Sequence, residues 1–189
     1  MNQNNADSGI PRRFKVTAAR SSVTKRGEQA IAQCEIALAI NPNLANAHAT
    51  IGWSKAITGC AQETETHVRQ ALRLSPCDMG ASGWLFIVGA AQSLLGRQEE
   101  AIAWFRQSIE ASRTNPSVHF HLAASLARVG RFDEARAEAT AGLAIDPKFT
   151  VARFQAFPLG DNPTYLAGRK LIVDGMRMAG LPDGDMNTT

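Results

Sequence analysis

The chain has 189 residues, of which 44% are hydrophobic and 20% charged, with a formal net charge of +3. This composition is that of a soluble globular protein, and the length suits one domain or a short repeat array. No apolar run approaches the length of a membrane span, so no contact with a membrane interior is expected. Three widely spaced cysteines without a C-x-x-C pair argue against a disulfide framework or a metal site. Residues 1–9 are polar and lack the apolar segment of a secretory signal, which favours a cytoplasmic location.

The positive charge is concentrated near the N-terminus. Residues 12–26 contain six lysines and arginines and no acid, whereas residues 27–189 contain 14 basic and 16 acidic residues. We expect residues 1–26 to be a basic, poorly ordered leader that includes a degenerate first helix at about 11–25. Whether this helix forms is left open by the sequence. Weak contact of the leader with nucleic acid or an anionic surface is the less favoured alternative.

An internal repeat organises the rest of the chain. Four pairs of identical residues are spaced 34 positions apart: Ala37 and Ala71, Pro42 and Pro76, Gly96 and Gly130, and Ala101 and Ala135. Pro147 lies 71 residues after Pro76, so one three-residue insertion near 79–81 keeps the markers in phase. A period of this length is typical of stacked helical hairpins. The spacing predicts one partial unit and three full units, at 27–44, 45–78, 79–115 and 116–149.

The marker residues have physical reasons to stand where they do. Each full unit has a glycine where its first helix (helix A) must stop and reverse, and glycine adopts the left-handed conformation at low cost: Gly59, Gly96 and Gly130. Ala101 and Ala135 fall early in the second helix (helix B), where a methyl side chain lets the paired helices approach closely. Three of the B helices are ended by a proline, which removes a donor and restricts the preceding residue: Pro42, Pro76 and Pro147.

The segment GRFDEARAEATAGLAIDP, at residues 130–147, resembles helix B and the following turn of a tetratricopeptide (TPR) repeat. The third unit is similar to the same pattern through Leu85, Gly89, Ala101 and Phe105. The resemblance extends from residue 28 to residue 149. It implies an all-α fold, a right-handed α-solenoid of stacked antiparallel helix pairs (a TPR superhelix).

Both ends of such an array need caps, because a terminal unit exposes its apolar face. Residues 150–182 are predicted to be a junction and a C-terminal capping helix that docks on the fourth unit, with Asn162 as N-cap and Gly180 at its end. Phe154 and Phe157 are expected to fill the junction, and residues 183–189 are expected to be a disordered tail. The N-terminal end has no equally good cap, which predicts self-association there and a possible homodimer.

TPR proteins resemble one another in lining a concave groove with their A helices. The resemblance places eight side chains of this chain in the groove: Trp53, Ile57, Phe86, Ile87, Leu94, Phe120, His121 and Arg128. Such an apolar and aromatic lining implies a peptide or a helix of a partner protein as the ligand. The alternative is that the aromatic side chains are buried by neighbouring units or by the chain's own N-terminal segment.

No phosphate-binding loop, nucleophile elbow or HExxH motif occurs in the sequence. We therefore expect a non-catalytic interaction scaffold that uses no cofactor and no metal. A finer resemblance concerns DNPTYLAGRKLIVDGMRMAGLPDG, at residues 161–184, which is similar to the close of TPR segments located C-terminally in bacterial adenylate/guanylate cyclases and related signalling proteins. It implies an alternative function, the detached regulatory tail of a class III cyclase or a winged-helix signalling protein, acting in cis or in trans.

Overall fold

The computed structural model describes residues 12–184, and about 75% of the chain is helical. No β-strand occurs between these residues, so the predicted all-helical α-solenoid is confirmed. A short 3₁₀ turn at Ala61–Glu63 precedes the third helix. The helices in chain order are α1 (Arg12–Ile40), α2 (Ala45–Ile57), α3 (Thr64–Leu74), α4 (Ala81–Leu94), α5 (Gln98–Ala111), α6 (Pro116–Arg128), α7 (Phe132–Ile145), α8 (Val151–Ala156) and α9 (Pro163–Met178).

Three helical hairpins form the body of the molecule, α2/α3, α4/α5 and α6/α7, and each packs on the next. A glycine with positive φ lies in every hairpin turn, at 97° for Gly59, 79° for Gly96 and 81° for Gly130. At each turn the N–H of the following residue donates to a carbonyl five residues back, as Arg131 does to Leu126 at 2.9 Å. This Schellman geometry needs a left-handed residue, which explains the glycines. Pro42, Pro76 and Pro147 each lie two residues beyond the end of a helix.

Small residues set the distance between paired helices. Ala101 and Ala135 are fully buried at the start of α5 and α7. The corresponding residue of α3 is Thr64, which departs from the TPR pattern, and its hydroxyl donates to the Gly52 carbonyl at 2.9 Å. The hydroxyl is thereby satisfied inside the core, so the departure does not weaken the hairpin. A Cβ on Gly89 would lie 2.6 Å from the Phe105 ring, so glycine there makes room for an aromatic side chain.

The first helix differs from the expectation. The sequence predicted one helix over 11–25, a break, and a second helix over 28–40, whereas α1 runs from Arg12 to Ile40 without a turn. The physical reason is that Gly27 is buried against α2. A Cβ on this residue would lie 2.9 Å from the Thr58 methyl. This glycine permits close helix approach and does not reverse the chain. Residues 1–11 of the predicted leader, and most of the predicted tail, lie outside the described residues.

The C-terminal helix α9 begins as predicted. The Asn162 side-chain oxygen accepts from the N–H groups of Thr164 at 2.9 Å and Tyr165 at 3.4 Å, and Gly180 ends the helix with φ of 81°. Beyond the helix the chain returns to the start of α8, where the N–H of Val151 donates to the Pro182 carbonyl at 2.9 Å. Of the two phenylalanines predicted to fill the junction, Phe154 packs against the core. The prediction is wrong for Phe157, because this side chain is 75% exposed.

Helix α9 contacts more of the molecule than the predicted cap on the fourth unit would. It packs on both α6 and α4, with glycines at the points of closest approach. A Cβ on Gly168 would lie 2.5 Å from the Leu94 carbonyl oxygen, and one on Gly175 would lie 2.6 Å from the Ala124 carbonyl oxygen. Gly160, just before α9, meets the Ile57 carbonyl of α2. The C-terminal segment therefore lies across the ends of three successive A helices and covers part of the groove they line.

Candidate binding groove

The groove is formed by α2, α4 and α6, the A helices of the three hairpins, and α9 covers its C-terminal half. Two hollows result. The first is open and has a volume of about 250 Å³, and we call it the open hollow. It is lined by Asn46, Ala49, Thr50, Trp53, Trp84, Phe86 and Ile87.

The second hollow lies beneath α9 and has a volume of about 180 Å³, and we call it the covered cavity. Trp53 and Phe86 border both hollows, so the two are neighbours in one groove. The A helices contribute Leu94 and His121 to the covered cavity, whereas the C-terminal segment contributes Phe154 together with the polar side chains Tyr165 and Arg169.

Five of the eight predicted groove residues line one or both hollows, and the other three line neither. Trp53, Phe86 and Ile87 line the open hollow. Leu94 and His121 line the covered cavity, and Ile57 is buried near Gly160. The remaining two are Phe120, which is in the core, and Arg128, which is half-buried at the end of α6 and lines neither hollow.

Phe120 was predicted to line the groove, but it lies in the core. Its side chain is 1% exposed and faces α7, where Gly142 has no side chain to obstruct it. The Phe149 ring stacks on it with centroids 3.8 Å apart. Successive side chains on a helix point about 100° apart, so a groove-facing His121 directs its neighbour Phe120 toward the helix partner. The alternative of burial is therefore correct for Phe120, although the cover comes from the C-terminal side of the chain.

His121 is enclosed by aromatic rings. Phe86 and Phe154 meet its imidazole edge-on, with centroid distances of 5.1 and 5.5 Å. Its Nδ1 lies 2.8 Å from the Ser117 carbonyl, which can only accept, so Nδ1 carries the proton of a neutral ring. The pKa of His121 is lowered to about 4, chiefly by burial and to a smaller extent by the positive charge of Arg169. The imidazole of His121 is therefore uncharged at neutral pH.

The sequence interpretation missed the contribution of the C-terminal segment. Arg169 is buried, its guanidinium stacks on the Phe154 ring at 3.9 Å, and its pKa is lowered by burial. A signal was available, because Gly168 and Gly175 are seven residues apart and so share one face of α9. Two glycines on one face of a helix allow another backbone to approach closely. That spacing predicts extended contact with other helices better than it predicts a simple end cap.

The fold thus defines a protein built of stacked helical hairpins with an aromatic groove. The family model for the tetratricopeptide repeat matches residues 85–115, which contain most of α4 and all of α5. The chain therefore carries a repeat of the tetratricopeptide type, as the sequence pattern of the third unit predicted.

Solved structures of TPR proteins share the fold. A crystal structure of MamA superposes with a TM-score of 0.60 at 18% identity, covering 93% of this chain and 94% of that chain. A second MamA structure gives 0.58 at 16% identity, covering 88% and 91%. YrrB, described as a TPR protein with an unusual peptide-binding site, gives 0.56 at 18% identity, covering 86% and 85%. These identities support a common fold alone, and no curated protein matches the chain.

Between residues 12 and 184, no helix is both long enough and apolar enough to cross a membrane.

Proposed function

We propose that this protein is a non-catalytic protein–protein interaction scaffold whose open hollow binds a peptide or helix of a partner protein. The observation that carries the proposal is the open hollow itself, about 250 Å³ in volume and lined by Trp53, Trp84, Phe86 and Ile87. Aromatic side chains in a concave apolar site are typical anchors for a partner's side chains. The described peptide-binding site of YrrB, which shares the fold, lends support to this class of function.

The ligand is expected to be apolar. The open hollow exposes no charged side chain, because its only polar lining residues are Asn46 and Thr50 in addition to the tryptophan N–H groups. A partner segment with two or three large apolar residues on one face fits this surface, since charged groups would lose hydration without gaining an ion pair. The binding helix or peptide would lie on α2 and α4, beside the end of the groove that α9 covers.

Two acidic substitutions at the rim of the open hollow should abolish partner capture. Thr50 is exposed and Ile87 is half-buried, so Thr50→Glu with Ile87→Glu adds charge to the apolar site while leaving the core intact. We expect at least about a tenfold loss of affinity, because the partner's apolar side chains would face carboxylates. The measurement is quantitative affinity purification from the native cell, with circular dichroism to verify helicity.

The matched control is Ala103→Glu with Gln107→Glu, which adds the same charge to an exposed face of α5. Proteins captured by the unmodified chain and by this control, and lost by the hollow variant, would be the partners. If the hollow variant retains every captured protein, binding in the open hollow is excluded.

We also propose that the N-terminal end supports a homodimer. Ile36 and Ile40, one turn apart on α1, are 65% and 83% exposed, and such paired exposed apolar side chains mark interaction surfaces. A second copy presenting the same isoleucines would cover them by a two-fold arrangement.

Ile36→Lys with Ile40→Lys should convert the dimer into a monomer, as measured by sedimentation at several protein concentrations. Glu35→Lys is the control, because it changes the net charge by the same amount at an exposed site of α1. A chain that is monomeric before any substitution, or a variant that stays dimeric, would contradict this interface.

A second candidate function is the regulation of a cyclase. The observation that favours it is the segment 161–184, which carries the resemblance to cyclase-associated TPR endings and forms α9 and its caps. In this proposal the purified chain changes the cyclic-nucleotide output of a class III cyclase encoded next to it, whereas an equal amount of an unrelated helical protein does not. Unchanged output over a range of concentrations would reject the regulatory function.

A further inference from the structure

The covered cavity has an unusual combination of walls. On one side the A helices provide apolar and aromatic side chains, including Trp53, Phe86 and Leu94. On the other side α9 provides Tyr165 and Arg169, which are one turn apart and only 4% and 7% exposed.

Arg169 has hydrogen bonds but no counter-charge. Its Nη2 donates to the carbonyl groups of Phe154 and Phe157, and its Nη1 donates to the Tyr165 hydroxyl at 3.4 Å. These acceptors are neutral, and among the described residues no carboxylate lies within ion-pair distance of Arg169. The carbonyl bonds explain how the arginine ties α8 to α9. They leave a buried positive charge without a compensating anion, which is an unfavourable state in an apolar setting.

Tyr165 provides a second donor beside the guanidinium. Its hydroxyl oxygen accepts from the Leu159 N–H at 3.3 Å and from Arg169. Both contacts use the oxygen, so the hydroxyl hydrogen is left to donate to another acceptor. A guanidinium and a phenol O–H on one wall are complementary to a carboxylate, whose two oxygens accept from both.

The volume limits the rest of the ligand. A dry apolar cavity of about 150 Å³ is sufficient to hold benzene, and the covered cavity has about 180 Å³. We propose that the covered cavity binds a small monocarboxylate with an apolar body of about phenyl size, its carboxylate on Arg169 and Tyr165 and its body against Trp53 and Phe86. This site is separate from the peptide-binding hollow, although the two hollows share Trp53 and Phe86 in their walls.

Phenylacetate and phenylacetamide test the proposal, because they have the same shape and differ in charge. Binding to the full chain is measured by isothermal titration and by tryptophan fluorescence, to which Trp53 in the cavity wall contributes. We expect phenylacetate to bind about tenfold or more tightly than the amide, since only the acid neutralises the guanidinium. Equal binding of the two, or no binding of phenylacetate at millimolar concentration, would overturn the proposal.

Variants locate the site. Tyr165→Phe retains the ring and should weaken the binding of phenylacetate several-fold. Arg169→Gln should remove the preference for phenylacetate over phenylacetamide. Arg177→Gln is the matched control, because Arg177 lies on α9 but its guanidinium is paired with Asp183 on the surface. Unchanged binding by Tyr165→Phe and by a folded Arg169→Gln would contradict the assignment. If Arg169→Gln loses helicity, the comparison of phenylacetate with phenylacetamide on the unmodified chain tests the proposal by itself.

Failure here is distinguishable from failure of the proposed function. Thr50 and Ile87 line the open hollow and not the covered cavity, so Thr50→Glu with Ile87→Glu should leave phenylacetate binding intact. A chain that captures partners yet ignores phenylacetate would reject the carboxylate site alone.

Discussion

Replacing Phe120 by alanine should lower the free energy of unfolding by about 3–5 kcal/mol. The ring is almost completely buried between α6 and α7, stacks on Phe149 and fills the space left by Gly142. Its removal leaves a cavity that the helical backbones cannot close, because α6 is held on both sides by α7 and α9. The measurement is urea unfolding followed by circular dichroism.

Phe157→Ala is the control for this prediction, because its ring is exposed and should change stability by less than about 0.5 kcal/mol. Equal losses for the two variants would show that Phe120 is not a core residue. The comparison also separates the two interpretations of this phenylalanine. A side chain that lines a groove would cost binding on truncation and little stability, whereas a core side chain costs stability first.

Acidification from about pH 6.5 to pH 4 should destabilise the protein by about 3 kcal/mol through His121. The pKa of His121 is lowered from 6.5 to about 4, chiefly by burial among aromatic rings. The unfolded chain therefore binds more protons than the folded chain within this range. Stability is fully present above the unfolded pKa and is lost as the pH falls through the folded pKa. Unfolding free energies measured at several pH values give the slope directly.

His121→Leu should flatten this slope, because it removes the titrating group while preserving an apolar side chain of similar size. The pKa of His67 is also lowered by burial, in the same direction, so His67→Gln serves as the comparison and should have the smaller effect. A variant at His121 with the same loss of stability on acidification as the unmodified chain would show that another group is responsible.

The hairpins could be predicted from the sequence because their determinants are local. A 34-residue period, a glycine at each hairpin turn and a proline after three of the four B helices fix where helices begin and end, and Gly96 and Gly130 indeed have positive φ. The TPR character of the third unit followed from the same local pattern. Such signals depend on the conformation of a few consecutive residues, so they are visible without knowledge of the fold.

The features that could not be predicted depend on contacts between distant parts of the chain. Gly27 has the same residue type as the turn glycines, yet α2 lies against it and the helix continues. His121 and Phe120 are adjacent, and only the helix phase decides which one faces the groove. The partial closure of the groove by α9 was not predicted, because it depends on the backbone of α4 and α6 meeting Gly168 and Gly175. The covered cavity and its arginine exist only as a result of that contact.

The position of α9 has a consequence for how the molecule unfolds. In an ordinary solenoid each repeat touches only its immediate neighbours, so the array can melt from one end in steps. Here one helix is seated on the backbones of α4 and α6, and the residues before it reach α2. Unfolding of any one hairpin would remove part of the surface on which α9 packs and would weaken the contacts of α9 with the other hairpins. The C-terminal helix thus couples the hairpins to one another. The separate hairpins should therefore unfold together in a single cooperative transition.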